Sequence, residues 1–336
     1  TTEIYTLSLH DALPILALFF DYSNGTLDSS KIISGVVSTR VLTPKSALIL
    51  SCVFTFLGAM LGTEVAITIG KGLINTELII NCKSLILATL LSALFWNYLM
   101  WYVKLPSSAA HTIIGGLIGA SIVYAGFGCV NYYNLMFKVV IPLFLSSIAG
   151  FIAGYILITF LAWLTFKMKY RTANNTFKYL QILSTGFMAL SHGSNSAQKT
   201  MGIITLSLLI FGQIDTLDIP LWVRLSCISA ITIGQLSGGI RIIKTIGFKM
   251  FNMTPLHNFA SQMSTSIIIV TCSFFGIPLS TANVISSSLL GTGAAAKLSN
   301  VKWNTAKQIV ISWILTLPAT IIFGGLIMYL FLIIGL

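Results

Sequence analysis

A chain of 336 residues that is 56% hydrophobic and 8% charged, with a mean hydropathy of +0.92, does not have the composition of a soluble domain. Its formal charge of +11 comes from basic residues set singly or in small groups between apolar runs, which is patterning against a membrane and excludes a nucleic-acid-binding face. With lipid as the solvent, the backbone must satisfy its own hydrogen bonds, and runs of the length found here do so as helices.

About 20 helical residues cross roughly 30 Å of hydrocarbon, and apolar runs of that order recur along the chain. Residues 1–15 carry Glu3, His10 and Asp11 and lack a basic start; the apolar stretch 12–20 that follows is neither a signal peptide nor a span. This head reads as an interfacial helix or, in preference, as a foreign segment in place of the first helix. Runs follow at 46–69, 84–102, 111–130, 136–166, 199–212, 221–236, 259–276, 282–296 and 305–334, and 179–192 adds a shorter one. The shortest two of the nine, 199–212 and 282–296, are expected as half-helices. The longest two contain Pro142 and Pro318, so each is expected to kink or tilt strongly.

The densest basic group, Lys167, Lys169, Arg171 and Lys178, lies in a polar stretch after the longest apolar run. It is expected on the cytoplasmic side as the boundary between two halves. Arg241, Lys244 and Lys249 form a second basic loop, and Lys297, Lys302 and Lys307 a third; placing all three on one side requires re-entrant segments. The expected organisation is a head at 1–15, a first transmembrane repeat at 16–166, a basic linker at 167–178 and a second repeat at 179–336. The fold class is then an all-α integral membrane protein of about ten to twelve transmembrane or half-helical segments, in two inverted repeats with broken helices and re-entrant hairpins.

The halves are linked by two repeated motifs. Gly25-Thr26-Leu27-Asp28-Ser29-Ser30-Lys31 is echoed half a chain later by Gly193-Ser194-Asn195-Ser196-Ala197-Gln198-Lys199. In the same order, Pro106-Ser107-Ser108-Ala109-Ala110-His111 is echoed by Pro278-Leu279-Ser280-Thr281-Ala282-Asn283. Asp21 and Asp28 put carboxylates at membrane depth, which costs several kcal/mol unless a cation or cavity meets them. If the glycines interrupt helices, the free N–H ends suit an anion and the free carbonyls a small cation. The Ser and Thr residues after each proline either converge on an oxyanion or simply cap the helix that starts there.

Cys52, Cys82, Cys129, Cys227 and Cys272 have no ligand spacing and read as small buried hydrophobes. The four histidines are too far apart in sequence to suggest a metal cluster, and His192 reads as a packing or hydrogen-bonding residue. No phosphate-binding loop, nucleophile elbow or zinc helix is present. No cofactor is expected.

Several of these segments resemble the Pit-type inorganic phosphate transporters. The likeness lies in residues 20–28, in Ser38-Thr39-Arg40-Val41-Leu42-Thr43-Pro44, in residues 191–202, in Trp96-Asn97 with Trp101-Tyr102 before Pro106-Ser107-Ser108, in residues 238–247 and in residues 313–319. It runs from about Leu18 to the C-terminus. The resemblance implies a secondary transporter carrying inorganic phosphate in symport with Na⁺ or H⁺. It also implies a multi-pass protein of the cell membrane, the bacterial inner membrane in particular. The lipid bilayer and phosphate are then its partners, nucleic acid is not, and a homo-oligomer is left open. Carried over by position, Asn24, Asp28 and Asn195 are the cation ligands, the last metal role being a Na⁺ near Asp28. The phosphate ligands are Ser107, Ser108, Ser280 and Thr281, with Ser194, Ser196 or Lys199.

The chain departs from that pattern in ways that bear on charge. The family usually has Asp at Ser196, Asn at Lys31 and commonly His at Asn283, with more hydroxyls at Ala109, Ala110 and Ala282. One carboxylate is lost and one ammonium gained. Lys31 is either a tethered charge that replaces a coupling cation beside Asp28 or a snorkelling side chain at the aqueous end of its helix. Other readings are a carrier of another small oxyanion such as sulfate on the same scaffold, a chain that transports poorly, and a membrane enzyme acting on phosphorylated lipid. The last is disfavoured because only Asp28 and His192 offer acid–base chemistry.

Overall fold

The computed structural model describes residues 9–103, 107–246, 254–296 and 303–335. Pro106, Lys249, Lys297, Lys302 and the first eight residues of the expected head lie outside them, as do the side chains of Arg241 and Lys244. The described chain runs α1 (Leu9–Ser38), α2 (Pro44–Ala59), α3 (Glu64–Ile67), α4 (Thr76–Ile79), α5 (Leu85–Tyr102), α6 (Ala109–Ala125), α7 (Tyr132–Asn134) and α8 (Ile141–Leu164). It continues through α9 (Tyr170–Ile210), α10 (Leu221–Ile246), α11 (Pro255–Phe274), α12 (Thr281–Ala296) and α13 (Trp303–Ile334). The protein is thus an all-helical membrane protein.

Among the described residues, Leu85–Tyr102, Tyr132–Leu164 and Ala306–Ile334 are each long and apolar enough to cross a membrane. The expected run 46–69 is not one straight helix, since α2 and the segment Glu64–Gly72 meet at 63°. α1 and α9 are longer than a span but carry a polar stripe. α8 and α13 turn large apolar side chains outward, among them Leu145, Ile148, Ile156, Ile322, Leu326 and Ile333. Apolar helices therefore face lipid while the stripes of α1 and α9 are buried between neighbours.

The packing repeats itself. α1 lies on α10 while α9 lies on α2; α6 lies on α13 while α12 lies on α8. α5 sits against α6 and α13 as α11 sits against α12 and α8. Exchanging the helices of one half for those of the other maps one set of contacts onto the other, so the two halves are interlocked rather than side by side.

Three local expectations change. The glycine motifs do not break their helices: Gly25 lies inside α1 and Gly193 inside the 41-residue α9. A glycine inside a helix costs only about 1 kcal/mol against alanine, and here the missing Cβ permits contact. A Cβ on Gly25 would overlap the Ile231 carbonyl oxygen of α10, and one on Gly193 the Thr55 carbonyl oxygen of α2. Consequently the runs 179–192 and 199–212 are parts of one helix, not a short helix and a half-helix. The stretch 12–20, expected to be no span, is the first part of the 30-residue α1, and Leu13, Ala17 and Phe20 are fully buried on one face of it. Pro142 follows a π-helical turn at Leu135–Val140 within the continuous helical span Tyr132–Leu164, an irregularity of the kind expected at this proline. α9 begins at Tyr170, so most of the basic stretch 167–178 is helical, with its four basic residues exposed.

Candidate functional site

Helical spacing explains how α1 presents its polar groups. Asp21, Asn24, Asp28 and Lys31 follow at i, i+3, i+7 and i+10, which places them on one face. His192, Asn195, Ser196 and Lys199, at i, i+3, i+4 and i+7, likewise share one face of α9, and the two helices touch. Asp21, Asn24, Asp28, His192, Asn195, Ser196 and Lys199 are all buried. The motif is therefore a stripe of period 3.6 on an unbroken helix.

Charge is arranged along this seam in a definite order. Lys31 Nζ lies 2.5 Å from Asp28 Oδ1, and His192 Nε2 lies 4.0 Å from Asp28 Oδ2. His192 Nδ1 is 3.3 Å from the Ser196 hydroxyl. The Lys199 ammonium acts on the carboxylates of both Asp28 and Asp21. Thr200 donates to Asp21 Oδ1 at 2.6 Å, while Asp21 Oδ2 is buried with no hydrogen-bond partner. Two carboxylates thus face two ammonium groups, a balanced set that lowers the cost of burying each.

Polar chains lead from each stripe to a hairpin tip. On the α1 side, Asn97 of α5 donates to Asn24 Oδ1 at 3.4 Å, and Ser107 donates to Asn97 Oδ1 at 2.8 Å. Asn24 and Ser107, assigned from sequence to cation and phosphate respectively, are therefore joined through one residue. On the α9 side, Asn195 donates to the Ser273 hydroxyl at 3.0 Å and to the Ile277 carbonyl at 3.4 Å, just before Pro278, while its Oδ1 is buried without a partner. Ser194 instead bonds back to the Ser191 carbonyl of its own helix at 2.9 Å.

The two tips have one design. Ser108 caps α6, accepting from the His111 N–H, and lies 2.6 Å from His111 Nδ1. Ser280 accepts from the Asn283 N–H at the start of α12 and donates to Asn283 Oδ1 at 2.7 Å. The hydroxyls of Ser108 and Ser280 are thus capping groups that take up the His111 and Asn283 N–H groups, which leaves the N–H groups ahead of these in each first turn to face an anion. Thr281 is buried in the first turn of α12. Asn283 Nδ2 is a buried donor with no partner.

Sequence reasoning missed Asn97 and left Asp21 and Asn283 without a role. Asn97 was visible only as part of the Trp96-Asn97 pair. Asp21 could have been found from its i, i+7 spacing to Asp28. The five cysteines are free, and four of them are buried. Among the described residues no group of three His, Cys, Asp or Glu side chains could hold a metal.

Comparisons with known proteins follow this geometry. The profile of the Phosphate transporter family matches residues 24–324. A protein of Bacillus subtilis (strain 168), described as a probable low-affinity inorganic phosphate transporter, is 39% identical over 313 residues, covering 93% of this chain and 94% of its own. One of the same description from Rhizobium meliloti (strain 1021) is 36% identical, covering 93% of each chain. Among solved structures, one titled "The sodium-dependent phosphate transporter" superposes with a TM-score of 0.89 at 22% identity, covering 97% of this chain and 100% of that one. At that identity it shows the shared fold.

Proposed function

The chain belongs to the phosphate transporter family, and from that premise we propose that it carries inorganic phosphate across the cell membrane, the bacterial inner membrane in particular, in symport with Na⁺ or H⁺. The family sets aside the membrane-enzyme reading. The observation that carries the proposal is the α12 tip, where the unpartnered Asn283 amide, the Thr281 hydroxyl and the first-turn N–H groups stand together in a buried place. Buried donors without acceptors favour a small oxyanion. The α6 tip supplies the matching surface from the other half, with Ser107 and Ser108. Lys199 of α9 provides buried positive charge, and we put the boundary of the two repeats in the stretch 167–178.

The proposal is tested by uptake of radiolabelled phosphate into proteoliposomes, with excess sulfate as competitor. Uptake is expected, and sulfate is expected not to suppress it, because a buried unpartnered acceptor such as Asn195 Oδ1 favours an anion that still carries a proton. Asn283→Ala should raise the half-saturating phosphate concentration by about tenfold, the worth of one hydrogen bond to a charged group. Suppression of uptake by sulfate at equal concentration would refute phosphate selectivity.

A further inference from the structure

The seam contains two buried carboxylates, and they are not equivalent. Asp28 is already in contact with a cation, the Lys31 ammonium at 2.5 Å, and with His192 beyond it. Asp21, two turns earlier on the same face, receives one hydrogen bond from Thr200 and keeps an unpartnered, buried Oδ2. Resting on the phosphate-transport reading, we propose that the coupling cation of this chain is a proton taken by Asp21, the cation position at Asp28 being filled by the chain's own Lys31.

Chemistry distinguishes the two positions. A carboxylate neutralised by a tethered ammonium exerts little pull on a free cation, because the second positive charge meets the first. An alkali cation at Asp21 needs a shell of oxygen ligands, and the groups beside this carboxyl are the Thr200 hydroxyl and the Cys227 thiol. A proton needs only one oxygen, and Oδ2 is that oxygen. The charged and titratable groups around it are few. α9 contributes Lys199 and, beside Asp28, His192; α10 contributes Cys227 and, one turn before it, the half-buried Arg224; and α1 itself Asp28 with Lys31. α2 brings Lys45, exposed at its start, and the buried Cys52, whose thiol donates to the Thr232 carbonyl; α5 brings only exposed tyrosines, and the described part of α12 brings no titratable residue. α11 meets α1 at Ile32 and Gly35, well away from Asp21. Lys199 feels both carboxylates, so protonation of Asp21 frees its positive charge for the arriving phosphate. Cation and anion binding are coupled in that way, without a metal ion.

The experiment uses the full-length protein in proteoliposomes, with pH and Na⁺ gradients imposed separately. Phosphate accumulation is expected with an acidic exterior and no Na⁺. Asp21→Asn should lose accumulation driven by the pH gradient while retaining phosphate–phosphate exchange. That exchange separates failure of the proton site from failure of the transport reading, which would show no phosphate movement in any condition. Lys31→Asn should acquire Na⁺ stimulation of uptake, and its melting temperature should rise with Na⁺ while that of the native protein does not. If Asp21→Asn is not recovered folded, Asp21→Glu, which keeps an ionisable carboxyl at a displaced position, should retain pH-driven accumulation and shift the external pH at which it is half-maximal; an unshifted profile would count against Asp21. A native protein that requires Na⁺, an Asp21→Asn variant that still accumulates phosphate on a pH gradient, or phosphate entry without proton uptake would each overturn the proposal.

Discussion

Asp28→Asn is expected to lose phosphate transport and to lower the melting temperature of the protein. The substitution keeps the shape of the side chain and removes its charge, so Lys31, which lies 2.5 Å from the native carboxylate, becomes a half-buried ammonium without its partner. Lys199 loses one of its two nearby carboxylates as well. Breaking a fully buried pair by removing one partner costs about 3–5 kcal/mol; with Lys31 20% and Asp28 12% exposed, the loss is expected below that range. Lys31→Met, made in sodium-free buffer, should be destabilising for the opposite reason, since it strands Asp28. The double variant Asp28→Asn with Lys31→Met removes both charges and should regain most of the lost stability. Thermal unfolding in detergent, followed by intrinsic fluorescence, reads all three. Additive losses in the double variant would mean that the two side chains do not act as a pair.

Gly25→Val is expected to prevent assembly of the helical bundle, with the variant recovered as aggregate or degraded. Its Cβ has no room: the Ile231 carbonyl oxygen overlaps it and the Gln235 amide nitrogen stands 3.0 Å away. Both obstacles are backbone, so no rotamer change relieves them and α1 must move off α10. Even one inserted methyl in a packed interior costs about 1–3 kcal/mol, and valine adds two more carbons at one of the main contacts between the halves. Gly128 is the internal control, because nothing lies within 4 Å of a Cβ placed there; Gly128→Ala should behave like the native protein in size-exclusion chromatography. A monodisperse Gly25→Val variant of native melting temperature would show that α1 and α10 do not approach this closely.

Much of the protein is fixed by local composition. Membrane residence, the positions of the apolar helices and the repetition of two polar motifs are all properties of short stretches, because hydropathy and helical spacing report the surroundings of a segment directly. The motifs also carry the family. The same spacing contained the orientation of the stripe, since Asp21, Asn24, Asp28 and Lys31 share a face on any α-helix, and even the Asp28–Lys31 pair is an i, i+3 neighbour. What misled was glycine, which in sequence marks a place where a helix can end and, in the folded protein, a place where another backbone comes close.

Only docking of the helices decides which of those meanings applies. Gly25 is an interior residue because α10 lies against it, and Gly193 because α2 does. The polar chains belong to the same class: Asp21 meets Thr200, Asn24 meets Asn97, and Asn195 meets Ser273, each across more than 70 residues of chain. Hydropathy states that such groups need partners in a water-poor interior, but it is indifferent to which partner satisfies them. Tertiary structure makes that choice, and with it leaves Asp28 paired to a cation and Asp21 with one free oxygen.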